Sequence, residues 1–239
     1  MKYVISDIHG CYREYMALLH QLCLSENDHL YILGDAVDKG HAPIKVMQDL
    51  IHRKNMTYLL GNHDFLFCYF LGKNGLNLTE KNLAACDPED IWDFQTWLKD
   101  GGITTAKQYM HLSPGERTAI CTFLENAGFY HVIKDSGKTF LLVHAGIEGF
   151  REDKPLKNYH PLELICTRTD YTKRYYSDPD TFVITGHTPT PCIREDEQAE
   201  VYIGNGHIAI DCGCVYGGKL AAYCIETGEV IYVEGRSSL

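Results

Sequence analysis

The apolar positions of this chain follow two periods. Lys2–Ser6, Leu30–Leu33 and Thr57–Leu60 are short β-branched and aliphatic runs, and each predicts a strand. Between them the spacing turns helical. Cys11–Cys23 carries Tyr12, Met16, Leu19 and Leu22, and Pro43–Lys54 carries Ile44, Met47, Leu50 and Ile51 on one face, with Pro43 suited to a first turn. Another helix is expected from about Asp64. Short strands alternating with helices imply a parallel sheet built from crossover units.

From Leu76 to Lys138 the strand period disappears. Asp87-Pro88-Glu89-Asp90 and Ser113-Pro114-Gly115-Glu116 each combine a capping residue, a proline at the first helical position and an acid three residues after the cap. Ile91, Phe94 and Leu98, then Ile120, Phe123 and Leu124, supply apolar faces, and Gly101-Gly102 breaks the chain between them. Residues from about 65 to 138 are therefore expected to form a helical insertion over one rim of a single domain spanning 1–239. Strands return at Thr139–Val143, Thr181–Thr185, His207–Ile210, Lys219–Glu226 and Glu229–Val233, the last two joined by the hairpin signal Thr227-Gly228. The expected class is α/β: a mixed sheet, or two packed sheets, with helices outside.

Composition narrows the partners. The net charge of −10 argues against non-specific binding to nucleic acid or membrane surfaces, both of which need a positive footprint. An anionic substrate would need local positive charge, which metal ions can supply. No apolar run is long enough to span a bilayer. The N-terminus runs directly into a strand without a signal peptide, so a cytoplasmic protein is expected. The ten cysteines are scattered without a Cys-x-x-Cys pair and read as free, mostly buried thiols. Cys212-Gly-Cys214 is a weaker zinc or redox reading.

The chemistry lies in five islands: Asp7-Ile8-His9-Gly10, Gly34-Asp35-Ala36-Val37-Asp38-Lys39-Gly40, Gly61-Asn62-His63-Asp64, His144-Ala145-Gly146 and Gly186-His187-Thr188. Each sets an oxygen donor or an imidazole after a short apolar run, which places the ligands at strand carboxyl ends, where open α/β sheets bind their ligands. Asp7 and His9 are two apart, so an extended backbone points both the same way. A carboxylate can bridge two cations, and Asp35 is the candidate. Asn62 offers a neutral oxygen, and His9, His144 and His187 offer imidazole nitrogens. This mixed nitrogen and oxygen set suits manganese, iron or zinc better than calcium.

The islands resemble the phosphoprotein phosphatase family within the calcineurin-like metallophosphoesterases, whose pattern is Asp-x-His-Gly, Gly-Asp-x-Val-Asp-Arg-Gly, Gly-Asn-His-Glu/Asp, His-Ala-Gly and Gly-His. Trp97-Leu98-Lys99-Asp100-Gly101-Gly102, Ile210-Asp211-Cys212-Gly213 and Gly217-Gly218-Lys219-Leu220 are similar to its bacterial branch of protein phosphatases and symmetrical dinucleoside tetraphosphate hydrolases. The resemblance implies an αββα sandwich of two mixed sheets. It implies two divalent metal ions, with manganese favoured and iron or zinc as alternatives. Asp7, His9 and Asp35 would hold the first ion, and Asp35, Asn62, His144 and His187 the second. A hydroxide bridging the two would attack phosphorus directly. His63 would protonate the leaving oxygen, Asp38 would orient His63, and Arg168, Lys39 and Asn62 would contact the phosphate.

Lys39 departs from the family arginine and loses its planar two-point grip. Cys166 departs where bacterial relatives often carry an aromatic residue. Tyr216 reads equally as pocket wall or packed core. Thr169–Asp180 is a candidate substrate-facing loop, and Glu195-Asp196-Glu197 a solvated one. The remaining histidines read as structural.

The substrate is expected to be a phosphorylated protein or a phosphorylated small molecule. Asp38 beside Lys39 favours a serine/threonine protein phosphatase, acting also on tyrosine. The alternative is a symmetrical bis(5'-nucleosyl)-tetraphosphatase, which Gly-Asn-His-Asp and Gly-His-Thr-Pro-Thr also fit. A non-catalytic scaffold is disfavoured by the complete ligand set, and a nuclease or cyclic-nucleotide diesterase by Arg168 and the missing basic patch.

Overall fold

A computed structural model describes residues 1–72 and 87–236. Cys86 and the opening of the middle segment lie outside the described residues. The first sheet runs β10-β9-β1-β2-β3. Its members are β1 (Lys2–Ile5), β2 (His29–Ile32), β3 (Met56–Tyr58), β9 (Lys219–Cys224) and β10 (Val230–Glu234). β1, β2 and β3 are parallel, and β9 joins β1 antiparallel. The second sheet runs β4-β5-β6-β8-β7. It contains β4 (Tyr130–Asp135), β5 (Lys138–Val143), β6 (Thr181–Thr185), β7 (Tyr202–Gly204) and β8 (His207–Ala209), with β5, β6 and β8 parallel.

Alternation along the strands builds three apolar layers. Val4, Tyr31 and Leu33 from the first sheet meet Phe140, Leu142, Ile184 and Ile208 from the second. The neighbouring residues point the other way. Ile5, Leu30 and Ile32 pack under α1 (Tyr12–Leu22), α2 (Pro43–His52), α3 (Asn62–Leu71), α4 (Pro88–Trp97), α5 (Ile103–Met110) and α6 (Pro114–Glu125). Leu141, Val143 and Val183 pack against Ile147, Tyr159 and α7 (Pro161–Ile165). Each such aliphatic side chain, fully buried, contributes about 1.5–3 kcal/mol. Both faces of each sheet are covered, which is why its central strands read as near-continuous apolar runs.

The helical stretch of the middle segment ends at Glu125, short of residue 138, and Tyr130–Asp135 is an edge strand of the second sheet. The caps at Asp87 and Ser113 form as the sequence suggests: Asp87 accepts from the Glu89 amide, and Ser113 and Glu116 form a capping box. The break expected at Gly101-Gly102 is present: Asp100 (ψ 21°) and Gly101 leave helical backbone, and the chain kinks there. Residues Leu98–Gly102 form the kink between α4 and α5, in which Gly101 has φ 103°. None of the nine described cysteines is paired; five are buried, including Cys212 and Cys214, while Cys23, Cys166 and Cys192 are exposed. No described helix is long and apolar enough to cross a membrane.

Candidate metal centre

The parallel strands of both sheets end at one edge. Asp7 follows β1, Asp35 follows β2, Asn62 follows β3, His144 follows β5 and His187 follows β6. The loops after β1 and β2 are tied together, with the His9 amide donating to Asp35 O at 2.8 Å and the Gly40 amide to His9 O at 2.9 Å. Asp7, His9, Asp35, Asp38, Lys39 and His187 all adopt left-handed backbone, with φ between 42° and 67°. Such conformations cost about 1–2 kcal/mol each outside glycine. Their concentration at these turns marks a place where the fold accepts strain to aim side chains.

The donors converge. Acceptor atoms of His9, Asp35 and His63 form one group, and those of Asp35, His144 and His187 another, each within 4.8 Å. Asp35 belongs to both. Asn62 Oδ1 lies 3.0 Å from His144 Nε2 and 2.9 Å from His187 Nδ1. Asp7 joins from the side, its Oδ1 3.9 Å from His9 Nε2, while its Oδ2 accepts from Ser6 and from the His187 amide.

These contacts fit a pair of cations. His9 Nδ1 bonds Val37 O at 2.9 Å and His144 Nδ1 bonds Leu33 O at 2.5 Å. Main-chain carbonyls only accept, so both Nδ1 atoms carry the proton and both Nε2 lone pairs face inward. They point at Asp35 Oδ2 from 3.6 and 3.5 Å. Lone pairs facing a carboxylate at this range call for a cation between them. The Lys39 ammonium, 3.1 Å from His9 Nε2, supplies part of that positive charge.

Titration follows the same logic. Burial first, then the Lys39 and His63 charges, hold His9 well below its usual range. Burial also lowers His144 and takes His187 to about 3. These rings stay neutral, the form that binds metal. Burial pushes Asp7 up to about 6 and raises Asp35, with neighbouring carboxylates adding to both shifts. Two divalent cations would relieve that crowding. Burial would lower Lys39, but Asp35, Tyr216, Asp100 and Asp7 together raise it, so it remains charged.

His63 lies beside the metal donors. Its Nδ1 donates to Asp38 Oδ2 at 2.8 Å, and its Nε2 is 3.6 Å from Asp100 Oδ2. Asp38 is fully buried. The site opens into a cavity of about 610 Å³, whose wall includes Lys39, Arg168, Asp211 and Tyr216. Arg168 is exposed on a loop tied to the His144 turn by the Gly146 amide, which donates to Thr167 O at 2.6 Å. Tyr216 is 49% exposed, so it is cavity wall and not core. Thr169–Asp180 is instead a surface loop anchored by a few inward contacts: Tyr171 is buried, Tyr175 stacks on Phe150, and the Arg174 guanidinium donates to the carbonyls of Tyr176, Asp178 and Pro179, while Thr172–Arg174 and Ser177–Asp180 are exposed. Of that region only Arg168, just before it, lines the cavity.

Asp211 was not expected among the site residues. It is buried in the cavity wall, with its carboxyl raised by burial and by Asp7. Its signal was present, because Asp211 follows the parallel strand β8 as Asp7 follows β1. Asp64 is also buried. It accepts from the Asp35 and Gly61 amides and from Tyr58 Oη, tying the second and third islands together.

Residues 3–218 match the calcineurin-like phosphoesterase family. The chain belongs to that family. It is therefore a phosphoric ester hydrolase of a family that depends on two metal ions. The asymmetrical bis(5'-nucleosyl)-tetraphosphatase PrpE of Geobacillus thermodenitrificans is 30% identical over 248 residues, covering 92% of this chain and 88% of that protein. The protein of the same name from Anoxybacillus flavithermus is 29% identical over 261 residues, covering 96% and 92%. Among solved structures, a metallophosphoesterase from Sphaerobacter thermophilus superposes with a TM-score of 0.56 at 18% identity, over 99% of this chain and 88% of that one. A cold-active protein-tyrosine phosphatase of a Shewanella species gives 0.54 at 18%, over 97% and 76%. These two likenesses concern the fold.

Proposed function

We propose that this phosphoesterase hydrolyses dinucleoside tetraphosphates asymmetrically, with two divalent metal ions, manganese favoured. The observation that carries the reading is the full-length similarity to proteins named asymmetrical bis(5'-nucleosyl)-tetraphosphatase. It moves the preference away from a protein phosphatase and away from symmetrical cleavage. The cavity supports it. A tetraphosphate needs several positive groups, which Lys39 and Arg168 provide beside the metal donors, and a nucleobase needs a flat face, which the half-exposed Tyr216 ring offers.

In this reading Asp7, His9 and Asp35 would hold one cation, and Asp35, Asn62, His144 and His187 the other. The cations, when bound, supply an acidified water and positive charge for the phosphate. Lys39, whose ammonium lies 3.1 Å from His9 Nε2 at the cavity wall, would meet a phosphate oxygen. Arg168 and the Asn62 amide steady the remaining oxygens. His63, oriented by Asp38, gives its Nε2 proton to the departing oxygen. The Asp38–His63 pair also supports a second reading as a serine/threonine or tyrosine protein phosphatase, because an acid helps most when the leaving oxygen is a strong base.

Manganese-loaded protein should be assayed on diadenosine tetraphosphate, phosphoserine and phosphotyrosine peptides and a phosphodiester. The expected result is release of ATP and AMP, with kcat/KM at least about tenfold above either peptide, a gap of about 1.4 kcal/mol in transition-state binding. Two ADP would overturn asymmetric cleavage. Faster peptide hydrolysis would establish the second reading, and no hydrolysis by the metal-loaded protein would sink the enzymatic account.

A further inference from the structure

We propose that Trp97 and Thr105, from the helices over the rim, are positioning residues for Asp38 and through it for His63. The proposal rests on the acid role given to His63 above. Asp38 is fully buried and accepts from three directions. His63 Nδ1 donates to Oδ2 at 2.8 Å, Trp97 Nε1 donates to the same Oδ2 at 2.7 Å, and Thr105 Oγ1 donates to Oδ1 at 2.6 Å. The Asp38 amide donates in turn to Thr105 Oγ1 at 2.8 Å, which also pins the left-handed backbone of Asp38 at φ 67°.

The bonds at both ends of the carboxylate stop it rotating. A free carboxylate could turn either oxygen to His63 or to neither. With Oδ1 held by Thr105 and Oδ2 by Trp97, the oxygen that faces His63 and its plane are fixed. That keeps the His63 proton on Nδ1 and aims Nε2 into the cavity. The donors are buried as deeply as the acceptor, so water does not compete for them.

The turn between α4 and α5 makes this possible. Trp97 and Thr105 are eight positions apart in sequence and reach one carboxylate across the kink at Leu98–Gly102, which redirects the chain between α4 and α5. Its glycines are required by contact. A Cβ on Gly102 would stand 2.4 Å from the Trp97 ring, and one on Gly101 would stand 2.7 Å from the Lys39 amide nitrogen. That amide donates to Gly101 O at 3.1 Å, so the same turn also grips the strand-end loop carrying Asp38 and Lys39. The helical segment thus acts on the chemistry without contributing a metal ligand.

The test combines Thr105→Val and Trp97→Phe, which remove a donor and keep shape, with Thr105→Ser, which restores the hydroxyl. Each is made alone and in an Asp38→Asn background. Thr105→Val and Trp97→Phe are expected to lower kcat on diadenosine tetraphosphate by about tenfold each, the usual size for an outer-shell hydrogen bond. KM and manganese affinity by calorimetry should stay unchanged, and Thr105→Ser should recover kcat. In the Asp38→Asn background neither substitution should cost anything further, because residues acting through one group are not additive. Losses that multiply onto Asp38→Asn would mean a packing role and overturn the proposal, as would full activity of both single variants when Asp38→Asn is slow. Full activity of Asp38→Asn itself would instead remove the His63–Asp38 assignment.

Discussion

Replacing His63 with alanine is expected to lower kcat on diadenosine tetraphosphate by about 10²-fold, the lower end of the range for a positioned general acid, because the leaving phosphate oxygen is a weak base. Manganese binding should survive. His63 sits next to the Asn62 ligand, but its Nδ1 is committed to Asp38 and its Nε2 faces the cavity. His9, Asp7, Asp35, Asn62, His144 and His187 remain in place without it. The two-metal stoichiometry and the KM should therefore stay close to wild type while the chemical step slows. Undiminished activity would refute the acid role. Loss of one cation would make His63 a ligand, as its place in the group with His9 and Asp35 allows geometrically.

Asp35→Asn should have the other large effect. Asp35 shares a donor group with His9 on one side and with His144 and His187 on the other. A neutral amide does not bridge two cations, so activity should fall by more than about 10³-fold, and one or both manganese ions should be lost at micromolar metal. The metal-free protein should respond oppositely. Burial, with Asp38 adding, raises the Asp35 carboxyl above 3.8, against the lowering influence of His63 and Lys39. A raised carboxyl contributes stability below its unfolded value that is lost as pH rises through the folded one. Asparagine carries no such charge. It can keep the bond from the His63 amide, now 2.9 Å long, and turn its NH₂ toward His9 and His144. In chelator, Asp35→Asn should melt higher than wild type at pH 7 and no higher at pH 4. Equal melting at both pH values would contradict the view that Asp35 is an uncompensated buried charge without metal.

Much of this centre was readable in the chain because its chemistry is local. Each island joins a strand end to a donor within four residues, and a strand end is visible in the apolar period. The central strands are likewise local, as short near-continuous apolar runs, so β1, β2, β3, β5 and β6 could be placed. β4 escaped because it is an edge strand with only Ile133 fully buried, which leaves no clean alternation. β7 escaped because it has three residues and no buried one.

The support of Asp38 escaped for another reason. Trp97 and Thr105 are 59 and 67 residues away, and nothing in the period of a helix says which polar atom its buried indole will find. Tyr216 was ambiguous because one aromatic residue in a glycine-rich turn serves a core or a cavity wall equally. Asp211 is different. It follows β8 in the same strand-then-acid pattern as Asp7, and attention to every parallel strand end would have included it.

The central claim is that Asp35 joins two cations at the edge where both sheets end. The most direct test is anomalous diffraction at the manganese absorption edge from crystals grown with manganese. Two peaks about 3.5–4 Å apart, with the Asp35 carboxylate between them, are the predicted result. A single peak, or two peaks that leave Asp35 without a metal, would contradict it.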